Sequence, residues 1–190
     1  MQYYLHILHT KYMEKERIEK LWKWNTAIGV VIALILSAFQ HFLYDIIPLG
    51  IIGIFSPRSE SLAEHVKIIF YPVLIWWTFT FFVFRRAKGI NSYKWFSATF
   101  ITTITSISLL VMQFSVIFYG FSLTMDSFVV HILIEILSFV LSFLLGFHLY
   151  KHIKESKLLF IISAVSVGII AILMGVFSFY PPNAPIFIAL

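Results

Sequence analysis

Five apolar runs, at about 24–44, 60–84, 94–119, 127–150 and 158–180, divide this chain of 190 residues. A hydrocarbon core of about 30 Å is crossed by about 20 helical residues, so each run is long enough to span it. Soluble domains average about 45–50% apolar and about 25% charged residues. This chain is 60% hydrophobic and 12% charged, with a mean hydropathy of +0.92, and cannot clothe a surface that faces water. The expectation is an all-α integral membrane protein, a five-transmembrane-helix bundle. Disordered, solenoid and nucleic-acid-binding classes are excluded, and the absence of cysteine removes disulfides, thiol catalysis and Cys-ligated zinc.

The segments between the runs complete the organisation. Residues 1–22 mix aromatics with Lys11, Glu14, Lys15, Glu16, Arg17, Glu19 and Lys20 at helical spacing, which predicts an amphipathic interfacial arm. The run after Lys23 is too long for a signal peptide and has no Ala-x-Ala site, so it is read as a span. Residues 23–180 form the membrane domain, and 181–190, opened by Pro181 and Pro182, form a tail. Between the first two spans, Pro48, Gly50, Gly53 and Pro57 predict a helix-free re-entrant loop at 46–59. Twelve of the fourteen basic residues fall on one side of the alternating spans, leaving Arg58 and Lys67 on the other. The positive-inside rule then places the N-terminus inside and the C-terminus outside. Among the aromatics, Trp22, Trp24, Tyr93 and Trp95 read as interface anchors, while Trp76 and Trp77 lie deeper.

Two helices read as packing elements. Ala164, Gly168, Ala171 and Gly175 make a small-residue face for a second copy or another membrane protein. Thr99, Thr102, Thr103, Thr105, Ser106 and Ser108 offer hydroxyls to carbonyls of their own helix or to neighbours.

The predicted topology gathers His41, His65 and His131 at the outer ends of three helices, together with Asp45, Glu60, Glu64, Asp126 and Glu135. His41 and Asp45 share a face at i, i+4, as do Glu60 and Glu64, and His131 and Glu135. At 1.5 Å per residue the three imidazoles sit roughly 5–8 Å below the helix ends, with Glu135 a turn deeper. Imidazoles converging with an open position suit a divalent metal such as zinc, with Glu64 or Glu135 as general base on a bound water. The same groups also suit a buried hydrogen-bond network that pins the loop, with Ser59 capping the second helix. His148 and His152, flanked by Lys151 and Lys154, read as a solvated rim, and His6 and His9 as headgroup-facing.

The segments FQHFLYD and SPRSESLAEHVKIIFYP, with the terminal PPNAPIF, resemble DUF6512, a family of small prokaryotic membrane proteins of unknown function. Its pattern is Phe-His-x-Leu-Tyr-Asp, then Pro-Val-Asn-Glu-Ser-x-x-Glu-His-x-Lys, then Pro-Pro-x-x-Pro-x-Phe. His41, Leu43, Tyr44 and Asp45 match the first block, and Pro57, Glu60, Ser61, Glu64, His65 and Lys67 the second. Pro181, Pro182, Pro185 and Phe187 match the third. Gln40, Arg58, Ser59 and Ala63 depart from the pattern, as does the lack of an acidic continuation after Phe187. The resemblance implies a multi-pass protein of a prokaryotic plasma membrane and carries no reaction with it.

Three functions remain open from the residues. One is a binding or transport component that takes a cation or small solute at the outer pocket. A second is a metal-dependent intramembrane hydrolase acting on a lipid or an amide. The third is a structural partner in a larger membrane complex. Membrane lipids are partners in every case.

Overall fold

The computed structural model describes residues 2–86, 90–121 and 128–188, and the described residues are helical with no β-strand. Helix α1 (Gln2–Ile46) runs without a break through both the N-terminal arm and the first span. It is followed by α2 (Gly50–Phe55), α3 (Leu62–Phe84), α4 (Ser92–Phe114), α5 (Phe128–His152) and α6 (Lys157–Phe179). A π-helical turn, Ser115–Gly120, prolongs α4, and a 3-10 turn, Pro185–Phe187, sits in the tail. Five of these helices are long and apolar enough to cross a membrane, starting and ending within a few residues of the apolar runs, apart from the N-terminal extension of α1.

Contacts at the two ends show α1 antiparallel to α3 and α4 antiparallel to α5. At one end Gln40 of α1 meets Lys67 of α3, and Phe114 of α4 stacks on His131 of α5. At the other, Trp76 Nε1 donates to Asn25 O, and the backbone N–H of Asn91 donates to Tyr150 Oη. Helix α4 packs chiefly on α5 and α3, whereas α6 lies at the periphery with little of its surface buried.

The aromatic anchors divide by burial. Trp22 and Trp95 are turned into the protein, each almost wholly buried. The Trp22 ring lies 4.6 Å from both Trp95 and Tyr150 and 5.4 Å from Trp77, so it plugs the junction of α1, α3, α4 and α5. Trp24, two residues on, is exposed, as the helical period requires.

The hydroxyls of α4 are satisfied locally. Thr99, Thr102, Thr103 and Ser106 each donate to the carbonyl four residues back, and Ser106 also meets Ser142 Oγ at 2.7 Å. Small size matters most at Gly146. A Cβ there would collide with Thr102 Oγ1 and stand 2.7 Å from the buried Trp77 ring. Gly168, in the small-residue face, has no atom within 4 Å of that position. Gly146→Ala should therefore cost about 1–3 kcal/mol by overpacking, and Gly168→Ala should be neutral or slightly stabilising, as thermal unfolding in detergent would show.

The loop at 46–59 contains a helix after all. Pro48 and Pro57 flank α2 and leave its interior amides free, so the six residues Gly50–Phe55 can coil. Its carbonyls are met by side chains from the long helices. Gln40 Nε2 donates to Phe55 O and Tyr71 Oη donates to Ile54 O at 3.2 Å, while in the opposite sense Ser56 Oγ, just past α2, donates to Gln40 O of α1 at 2.6 Å.

Candidate metal centre

His41 lies five residues before the end of α1, and His65 and His131 lie three residues into α3 and α5. That sets all three about 5–8 Å in from their helix ends. The His41 and His65 rings are 5.1 Å apart, and those of His65 and His131 are 6.3 Å apart. They line one cavity of about 180 Å³, together with Ser37 and Glu135. Glu135 accepts a 2.9 Å hydrogen bond from Ser37 Oγ.

The His65 ring has a defined orientation. Its Nδ1 stands 3.0 Å from Ser61 O, and since a carbonyl only accepts, Nδ1 carries the proton. In the neutral ring Nε2 then bears a lone pair, and it stands 3.3 Å from Glu60 Oε2. Two acceptors at that separation repel unless a proton or a cation lies between them. His41 Nε2 is 3.9 Å from the same carboxylate oxygen. No hydrogen bond reaches His41 Nδ1, His65 Nε2 or His131 Nε2, all of them buried. The His65–Glu60 contact is thus an ion-pair distance of 3.3 Å. Glu60 precedes α3, and its carboxyl is held below its ordinary range first by the His65 ring, against the opposing effect of burial. The charges of His65, His41 and His131 add to that lowering.

Ligand atoms of His41, Glu60 and His65 all lie within 4.8 Å of one another. A tetrahedral zinc ion with bonds of about 2.0–2.1 Å has ligand-to-ligand edges of about 3.4 Å. The 3.3 and 3.9 Å separations bracket that edge. A metal-bound imidazole commonly donates its other N–H to a carbonyl or carboxylate, as His65 does to Ser61.

The remaining carboxylates go elsewhere. Glu64 does not face the cavity. It turns back over the start of α3, where its Oε2 accepts from Arg58 N at 2.8 Å and from Lys67 Nζ at 2.6 Å, and its Oε1 accepts from Ser178 Oγ at 3.0 Å. Asp45 is exposed and does not line the cavity. Asp126 and Lys88, like the His6 and His9 side chains, lie outside the described residues. Nor does any residue of the 46–59 loop line the cavity, whose walls come from α1, α3 and α5. Ser61, not Ser59, caps α3, its hydroxyl accepting from Glu64 N. The Ser-x-x-Glu spacing of Ser61 and Glu64 is that of a capping box, and it is the signal that Glu64 belongs to the helix start. Ser37 was also legible, one turn before His41 on the same face. His148 and His152 are exposed and stacked at 4.2 Å.

Lys67, counted above only as an outer charge, is completely buried. Its ammonium donates to Gly53 O at 2.7 Å, Ser56 O at 3.2 Å and Glu64 Oε2 at 2.6 Å, three acceptors for three protons.

These features define a multi-span helical membrane protein with a cluster of histidine and glutamate at one end of the bundle. The model of the family of unknown function DUF6512 matches residues 13–189, and the chain belongs to that family. No curated protein and no solved structure matches it.

Proposed function

We propose that this protein holds one divalent transition-metal ion between His41, Glu60 and His65 and binds a ligand at the position left open toward the cavity. The observation that carries the reading is the His65 ring, whose Nδ1 is tied to Ser61 and whose buried Nε2, reached by no hydrogen bond, stands 3.3 Å from the Glu60 carboxylate. Two imidazoles and a carboxylate favour zinc among the common divalent ions. Three protein ligands with a cavity beside them resemble an open, working site more than a closed structural one. Binding fits better than transport across the bundle, because Phe139, Phe143 and the Ser106–Ser142 contact close the interior below Glu135. Glu135 itself supports a second reading, metal-dependent hydrolysis, since its described partner is only a serine hydroxyl and a carboxylate beside a metal-bound water acts as general base.

Elemental analysis of the detergent-purified protein tests the metal. We expect one zinc per chain, lost to a strong chelator and regained on adding zinc. A metal-free preparation that takes up none at micromolar zinc would end the proposal and leave the cluster as a hydrogen-bond network.

The reading includes an orientation, with the histidine end outside and the membrane a prokaryotic plasma membrane. A cysteine at Ser59 should react with an impermeant thiol reagent in intact cells, and one at Ser92 should not. Labelling at Ser92 would invert the topology.

A further inference from the structure

The cavity beside the candidate metal centre joins two rows of side chains on α1. Ser37 and His41, one turn apart, form a row turned into the bundle, Ser37 toward Glu135 of α5 and His41 toward His65 of α3, and Ser37 is fully buried. Leu34, Ala38 and Phe42, also spaced by single turns, form the adjacent row. That second row faces outward: Leu34 is half-buried, Ala38 is exposed and Phe42 is 52% exposed. The cavity therefore runs from a polar interior to an apolar edge between α1 and α5, where Ile132 completes the rim. Ala38 is eight residues before the end of α1, about 12 Å along the helix from Ile46. This edge lies on the flank of a span, at the depth of hydrocarbon, and not among the loops.

Volume limits what fits. About 180 Å³ is a little more than the roughly 150 Å³ of a cavity that admits one benzene molecule. A small polar head group can enter, whereas an acyl chain has to remain outside against α1 and α5.

We infer that the ligand of this site is a membrane-resident amphiphile with an oxygen-donor head, a carboxylate or acyl carbonyl, that enters sideways between α1 and α5 past Ala38 and Phe42. The inference rests on the metal reading: the head occupies the open position while the chain stays in the bilayer. It assigns Ala38 as the door and Phe42, stacked on His41 at 5.1 Å, as the door's outer post.

The test uses the full chain in lipid nanodiscs, loaded with Co²⁺ as a coloured substitute for zinc. The probes are acetohydroxamic acid, soluble and chainless, and dodecanohydroxamic acid, the same chelating head on an acyl chain. Failure of the wild type to take up Co²⁺ would overturn the metal reading before any probe is added. With cobalt bound, both probes should shift the visible spectrum of the metal. Ala38→Trp, which fills the door and replaces none of the three ligands, should retain cobalt and weaken the long-chain probe by about tenfold or more, the scale of an overpacking penalty. It should leave the chainless probe within about twofold of wild type on the same reasoning. Phe42→Ala should keep or strengthen the long-chain response while retaining the metal. Equal weakening of both probes by Ala38→Trp, or no weakening of either, would overturn lateral entry while leaving the metal centre intact.

Discussion

His65→Ala is expected to lower zinc affinity by about a hundredfold to a thousandfold. Structural zinc sites with four ligands bind with about 10–16 kcal/mol, so each ligand carries about 2.5–4 kcal/mol. His65 is the ligand with most to lose, because its ring is already buried, oriented by Ser61 and free of any hydrogen bond at Nε2. Its removal leaves His41 and Glu60, which are 3.9 Å apart, and two ligands do not hold zinc against water and buffer. His131→Ala provides the contrast. His131 lines the cavity but stands outside the close group of three, so its loss should cost at most about tenfold, the lower end of effects seen for supporting residues. Competition titration with a chromophoric chelator measures both. Unchanged affinity in His65→Ala would dismiss the proposed ligand set.

The second large effect is on stability and leaves the metal untouched. Lys67→Met should destabilise the fold by about 3–5 kcal/mol, the cost of removing one partner from a buried ion pair. Lys67 is inaccessible to solvent, and its ammonium joins α2, the following turn and Glu64. Without it, the carbonyls of Gly53 and Ser56 lose a buried donor and the Glu64 carboxylate loses its countercharge. A paired variant, Lys67→Met with Glu64→Gln, should recover part of the loss because no lone charge is left behind. Thermal unfolding in detergent gives the ranking, and zinc content should stay at the wild-type value in both. A drop in zinc content would mean that the loop anchor and the metal centre are one unit.

The spans were legible because length and apolarity act through the solvent, which needs no knowledge of neighbours. The convergence of His41, His65 and His131 was legible for a related reason, since helix ends set depth. What sequence spacing leaves open is which neighbour a given face meets. Glu64 and His65 are adjacent, so about 100° of helix separates them. One turns back to cap α3 and the other enters the cavity. Charge counting likewise assigned Lys67 only a side of the membrane, although two loop carbonyls and Glu64 enclose it. Trp22 was read from its position beside a charged segment, yet the helical phase turns it inward among Trp77, Trp95 and Tyr150.

Helix α1 has no break between Gln2 and Ile46, and its 45 residues extend about 67 Å, more than twice the hydrocarbon thickness. Trp22, wedged between the other helices, divides it like a fulcrum, with His41 nineteen residues along the far arm. A tilt of about 5° around that point swings His41 by about 2.5 Å at 1.5 Å per residue. A displacement of that size is as large as a metal–nitrogen bond is long. A pull on the N-terminal arm would therefore reach the candidate ligand His41 through one rigid rod, resisted by the hydrogen bonds that tie Asn25, Ser37 and Gln40 to α3 and α5.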